Sequence, residues 1–235
     1  MTQIVCKGLL IDMDGVLVDS TPAVARVWAR WAARHNMDPH SIVKAAHGRT
    51  SISTIRELLA NATPETHRAE DRWMEESEIE DLADVVALPG AQSLLACIST
   101  SQFAVVTSAT RALAEVRLRA AGQWQFVKNL VSASDIQRGK PDPEPYLKGA
   151  ALLGFAPQDC VVIEDAPSGT RSGKAAGARV IAIRTTTNDA ELRSAGADWV
   201  INDCSSIRVL PDSSPVSSHL ELLDDSASPR APKMS

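Results

Sequence analysis

Two aspartates one residue apart close an apolar run near the start of the chain, in KGLLIDMDGVLVDS from Lys7 to Ser20. Side chains alternate along a strand, so Asp12 and Asp14 share one face while Met13 points to the other. Carboxylates about 4 Å apart repel by roughly 4 kcal/mol at an effective dielectric of 20, so the pair requires a cation or a proton on one member. Either state is useful for moving a proton or attacking an electrophile. An Asp-Gly step between apolar runs is also a hairpin signal, and a solvated surface pair is a further alternative, although GLLI just before them argues for burial. An EF-hand loop does not fit, because Val16 stands where that loop needs an oxygen ligand.

Other apolar runs end in the same way. FAVVT leads into Ser108, and CVVIE ends in Glu164 and is followed by Asp165. Open α/β sheets bind ligands outside the carboxyl ends of their strands, so one edge collects Asp12, Asp14, Ser108, Glu164 and Asp165. Lys140, in GKPDPEP shortly before a helical segment, can reach that edge.

The elements that must position these groups are readable from periodicity. KGLLI, FAVVT, NLVSA, CVVIE, RVIAI and DWVI are continuous apolar runs of strand length, as expected for parallel strands covered on both faces. Helical segments separate most of them, including one capped near Thr110 and closed at Gly122, one closed at Gly154 and one at Gly177. From about Thr21 to Leu88 no convincing strand occurs, and three segments show helical spacing. The expected organisation is an α/β parallel-sheet core from residues 1–20 and 89–210, a helical insertion over 21–88 above the first strand's carboxyl end, and a disordered tail over 213–235, rich in Ser, Pro and Asp.

Composition narrows the partners. The net charge is −5 and no Lys/Arg-rich run occurs, which removes the electrostatic footprint of a nucleic-acid binder. Cys6, Cys97, Cys160 and Cys204 are far apart without CxxC spacing, so they read as small hydrophobes in a reducing cytoplasm rather than disulfides or a zinc site. No apolar run is long enough to span a bilayer, and no export signal opens the chain. A monomer is expected.

Four segments in order, DMDG, VVTSAT, GKPDPEPY and IEDAPSG, resemble the motifs of the haloacid dehalogenase superfamily, and the resemblance extends over about residues 7–203. It implies a Rossmann-like core with a small helical cap, and it is nearest to the branch of sugar, polyol and glycerol phosphate phosphatases that also holds β-phosphoglucomutase. By that resemblance Asp12 is the nucleophile that forms an aspartyl-phosphate, and Asp14 is the general acid and then base. Mg²⁺ is held by the Asp12 carboxylate, the Asp14 carbonyl and Asp165, with Glu164 assisting directly or through water. Ser108 and the Ala109 N–H bind phosphate oxygens, and Lys140 neutralises charge between Asp12 and the phosphoryl group.

Dehalogenases of the superfamily lack the second acid and its transport ATPases carry Thr there, so Asp14 favours a phosphatase or phosphomutase acting on a small phosphomonoester. A non-catalytic binding protein on the same fold is the alternative of a different class. In the insertion, His47, Arg49 and Thr50 are candidates for substrate contacts, Arg49 foremost, and Ser20 and Trp28 resemble positions facing the site. Trp28 and Trp31 are expected in the insertion's core, and His35, His40 and His67 on the surface.

Overall fold

The computed structural model of the chain describes residues 2–46, 50–210 and 217–223. In chain order the strands and helices are β1 (Thr2–Cys6), β2 (Gly8–Ile11), β3 (Val18–Asp19), α1 (Thr21–Arg34), α2 (Pro39–Ala46), α3 (Ser51–Leu58), α4 (Pro64–Glu80), β4 (Val86–Ala87) and α5 (Ala91–Cys97). There follow β5 (Phe103–Val106), α6 (Arg111–Ala120), β6 (Leu130–Val131), α7 (Glu144–Leu153), β7 (Cys160–Glu164), α8 (Pro167–Ala175), β8 (Arg179–Ile183), α9 (Asp189–Ser194), β9 (Trp199–Ile201), β10 (Ile207–Val209) and β11 (Ser218–Leu222).

The six apolar runs become one parallel sheet in the order β6-β5-β2-β7-β8-β9. β2 is central, hydrogen-bonded to β5 on one side and β7 on the other. The chain leaves β2 in one direction for β5 and β6 and returns across it to β7, so a switch point of the kind that opens a ligand crevice lies at the carboxyl end of β2. Every residue of β2, β5 and β7 is buried, because helices cover both faces. Local chemistry sets the helix ends. Thr110 caps α6 by accepting from the Leu113 N–H, and Gly154 ends α7 in the left-handed region at φ 76°.

Between β2 and β5 the insertion has a core of its own, formed by Val27, Trp28, Trp31, Ala32, Ile42, Ala46, Ile55 and Met74. Trp28 and Trp31 meet edge to face at 5.5 Å. The chain enters and leaves the insertion through the β3–β4 ribbon, extended by the Leu88 N–H to Leu17 O at 2.9 Å. That ribbon places two strand residues inside 21–88, where none is expected. With two residues on each strand, it is too short to show a period. α2 also escapes sequence reading, being only two turns long.

The terminal region departs from expectation in a larger way. Residues 218–222, assigned to a disordered tail, form β11 and pair antiparallel with β1 from Thr2↔Leu222 to Cys6↔Ser218, with β10 on the far side. SHLEL alternates buried and half-buried residues, and Leu220 and Leu222 enter the main core beside Ile4 and Cys6. The Ser, Pro and Asp content around it hides a five-residue period-two signal. Of the rest of the expected tail, Ser217 and Leu223 are described, and 213–216 and 224–235 lie outside the described residues.

Cys6, Cys160 and Cys204 are buried free thiols and Cys97 is exposed. His40 is exposed as expected, but His35 and His67 are half-buried: His35 stacks on Trp31 at 4.3 Å and bonds Glu70, and His67 bonds the Leu59 carbonyl. No described helix is long and apolar enough to cross a membrane.

Candidate active site

At the carboxyl end of the sheet, β2 delivers Asp12, β7 delivers Glu164 and Asp165, and β5 leads into Thr107, Ser108 and Ala109. These residues line a cavity of about 490 Å³ whose opposite wall is the helical insertion.

Lys140 is the electrostatic centre. Its Nζ donates to Asp12 Oδ1 at 2.5 Å, Glu164 Oε1 at 2.7 Å and the Val106 carbonyl at 3.0 Å. An ammonium has three protons, so these partners use them all. Lys140 is thereby fixed on the nucleophile candidate's charge, and contact with a phosphate oxygen requires one partner to yield. Burial opposes the ammonium, but Asp12 and Glu164 outweigh it and raise the Lys140 pKa above the lysine value. Lys140 therefore keeps its charge across the physiological range.

Glu164, 1% exposed, accepts from four donors: Lys140 and the Tyr146 hydroxyl at Oε1, and the Asp165 and Ala166 N–H groups at Oε2. Those bonds occupy the lone pairs of a carboxylate. Gly169 packs so closely that a Cβ there would stand 1.6 Å from Glu164 Oε1. Tyr146 is the chain's one tyrosine, and it escaped sequence reading. Burial and Glu164 push its hydroxyl pKa well above the ordinary value, so it stays a donor.

Asp12, Glu164 and Asp165 bring ligand oxygens within 4.8 Å of one another, all three buried. Burial, with Glu164 and Asp14 adding and Lys140 opposing, pushes Asp12 up to about 7. Burial followed by Glu164 and Asp12 raises Asp165 well above the carboxylate range. A divalent cation among these oxygens would favour the charged forms, and an all-oxygen set suits a hard ion. Asp165 also accepts from the Thr186 hydroxyl, and Gly15 at φ +80° leaves space for it, since a Cβ there would lie 2.0 Å from Asp165 Oδ2.

The crowded pair is not the one the spacing suggests. Asp14 leaves the strand in the Gly15 turn, and its carboxylate stands apart from the three-acid cluster. It bonds instead to Arg117, whose Nη1 is 3.1 Å from each of its oxygens, and to the Ser20 hydroxyl at 2.6 Å. Asp14 still lines the same cavity. Ser20, expected to face a substrate, is 3% exposed and donates to this acid. Ser108 is exposed on the cavity wall, whereas the Ala109 N–H, expected to meet phosphate, donates to Thr107 Oγ1 at 3.0 Å. Thr50 precedes α3 and lines the cavity. His47 and Arg49 lie outside the described residues.

The insertion contributes a row that sequence reading passed over. Asp71, Glu75 and Glu78 on α4 all line the cavity, spaced as one helical face. Ser51 donates to Asp71 at 2.5 Å, Thr110 donates to Glu75, and Arg117 Nη2 meets Glu78 Oε2 at 3.2 Å.

An aspartate at the central strand's end, a lysine gripping it, an acidic pair at the end of the neighbouring strand and an inserted helical wall thus meet at one α/β sheet edge. The haloacid dehalogenase-like hydrolase family model matches residues 6–177, and the chain belongs to that family. It is 40% identical over 206 residues to hexitol phosphatase A of Escherichia coli, covering 87% of this chain and 94% of that protein. Glycerol-1-phosphate phosphohydrolase 2 of Saccharomyces cerevisiae is 31% identical over 214 residues, covering 86% and 84% respectively. Among solved structures, a family IA, variant 3 hydrolase from Entamoeba histolytica matches with a TM-score of 0.77 and 25% identity, over 86% of this chain and 95% of that one.

Proposed function

We propose that this chain is a Mg²⁺-dependent phosphatase that hydrolyses phosphomonoesters of small hydroxyl-rich alcohols through an aspartyl-phosphate on Asp12. The observation that carries this reading is the grip of Lys140 on Asp12 and Glu164 at 2.5 and 2.7 Å, in a cavity that Asp14 also lines. The cytoplasmic monomer expected from sequence is part of the proposal.

Asp12 attacks phosphorus in line, forming a carboxylate–phosphorus bond as the bond to the alcohol oxygen breaks. Asp14 gives its proton to the departing alkoxide. It then takes a proton from the water that attacks phosphorus, which releases inorganic phosphate and restores Asp12. The Asp12 and Asp165 carboxylates and the Asp14 carbonyl would hold Mg²⁺, which when bound would supply charge stabilisation for the transferring group. Glu164, with its lone pairs engaged, acts by holding Lys140 and the Asp165 backbone. Ser108 offers its hydroxyl to a phosphate oxygen.

The helical insertion serves as the cap that reads the alcohol. Asp71 and Glu75 accept hydrogen bonds from substrate hydroxyls and disfavour a second anionic group, which supports sugar and polyol monophosphates over bisphosphates. The names of the relatives, hexitol phosphatase and glycerol-1-phosphate phosphohydrolase, support the same class.

The test is release of inorganic phosphate from a panel of hexose, pentose, hexitol and glycerol phosphates, with Asp12→Asn as control. We expect kcat to fall by at least ~10⁴-fold in the variant, as when a nucleophile is removed. Conversion of β-glucose 1-phosphate to glucose 6-phosphate without phosphate release would overturn the phosphatase assignment. An Asp12→Asn enzyme as active as wild type would overturn the nucleophile.

A further inference from the structure

Arg117 has no role in the chemistry above, yet it is among the most costly charges in the molecule to bury. It sits on the buried face of α6 with Leu113, Ala114 and Leu118, and its side chain is 6% exposed. A guanidinium removed from water requires compensating partners. Its partners come from both walls of the cavity: Asp14 at the sheet end, through Nη1, and Glu78 on α4, through Nη2.

The donors on Asp14 are unevenly shared. Oδ1 receives Ser20 at 2.6 Å and Arg117 at 3.1 Å, whereas Oδ2 receives Arg117 alone at 3.1 Å. Oδ2 therefore keeps the greater lone-pair capacity, on a side chain that is 32% exposed in the cavity. Proton transfer demands a donor oxygen held within hydrogen-bond reach of its target, and an aspartate fixed by one bond alone can still turn about χ2.

We propose that Arg117 is the positioning residue for Asp14: with Ser20 it fixes the carboxylate so that Oδ2 carries the transferable proton, while Glu78 holds the guanidinium from the α4 side. Seating of the acid is thereby tied to the contact between α4 and α6, where Thr110 also meets Glu75. This inference rests on the proposed acid role of Asp14.

The test exploits the leaving group. An alkoxide needs a proton to depart, whereas p-nitrophenolate does not, so misplacing the acid harms one substrate selectively. The full chain with Mg²⁺ is assayed on glycerol 1-phosphate and p-nitrophenyl phosphate, comparing kcat/KM, which reports the step that phosphorylates Asp12. The ratio of the two values is independent of the folded fraction. Arg117→Met is expected to lower the alkyl value by roughly 10- to 100-fold more than the aryl value, part of the ~10²–10⁴-fold that acid–base catalysis contributes. Arg117→Lys should show a weaker preference of the same sign, and Glu78→Gln a smaller one again. Arg117→Met added to Asp14→Asn should cause little further selective loss, because the two act as a unit.

Equal losses on both substrates in Arg117→Met, with a selective loss in Asp14→Asn, would overturn the positioning role alone. Absence of selectivity in Asp14→Asn would overturn the acid assignment and the inference with it. Should Arg117→Met fail to accumulate, Arg117→Lys decides: a selective loss supports the role and an even one overturns it.

Discussion

The two walls of the cavity are held in place by different means. On the sheet side, Asp12, Lys140 and Glu164 are locked by one another, by Tyr146 and by backbone groups at the ends of fully buried strands. On the insertion side, Asp71, Glu75 and Glu78 project from one helix of a body with its own core around Trp31 and Met74, and each has one named hydrogen-bonded partner. The sheet wall is over-determined, so changing one of its members disturbs the others. The insertion wall can change side chains without repacking the sheet. Reaction chemistry belongs on the first kind of surface and discrimination among alcohols on the second.

The sheet wall can be broken without touching a charged group. Gly169→Ala would drive a methyl into Glu164, with an ideal Cβ 1.6 Å from Oε1. The displaced carboxylate loosens Lys140. We expect a loss of about 1–3 kcal/mol in stability, the usual range for overpacking, accompanied by a 10- to 100-fold fall in kcat on every substrate. Gly139→Ala, with nothing within 4 Å of the added carbon, is the matched control and should leave urea midpoint and kcat unchanged. A Gly169→Ala enzyme of normal activity would show that the sheet wall tolerates movement.

Changes on α4 should alter preference instead. Glu75→Gln and Asp71→Asn each weaken a charge-assisted bond, and we expect kcat/KM for a hexitol phosphate to fall roughly 10-fold while that for glycerol 1-phosphate, which needs the same acid but offers fewer hydroxyls, changes little. A uniform fall on both substrates would place these acids with the chemistry and erase the distinction between the walls.

The smallest effect concerns stability. Burial, opposed by Arg117 and reinforced by Asp14, raises Glu78 from 4.5 to about 7. Between those values the folded chain holds a proton that the unfolded chain has released, so this group's contribution to stability declines as pH rises through that window. Glu78→Gln removes the dependence. The melting temperature of the variant minus that of wild type should therefore increase from pH 5 to pH 7.5, and a difference independent of pH would contradict the burial argument.

How much of this was readable in the residue order depends on the range of the interactions involved. All six strands of the parallel sheet announce themselves as continuous apolar runs, because burial on both faces leaves polar side chains only at strand ends, as at Glu164 and Arg179. Asp12, Lys140, Glu164 and Asp165 were legible because each closes a strand or precedes a helix at one edge. Their actual pairing was not. Alternation on a strand put Asp14 beside Asp12, but the Gly15 turn rotates it toward Arg117, a partner 103 residues away. Arg117 itself left a signal that could have been used, since it falls on the same helical stripe as Leu113, Ala114 and Leu118, where a charge must be paired. β11 was hidden for a related reason. Its partner β1 lies about two hundred positions earlier, and only the alternation within SHLEL hints that the segment pairs at all.

A crystal structure grown with Mg²⁺ and beryllium fluoride, a mimic of the phosphoryl group, would examine the proposed centre directly. The expected density is a beryllium fluoride bonded to a carboxylate oxygen of Asp12, with Mg²⁺ touching Asp12 and Asp165 and Lys140 still within hydrogen-bond distance of Asp12. Beryllium fluoride on another residue, or a metal ion seated away from Asp165, would contradict it.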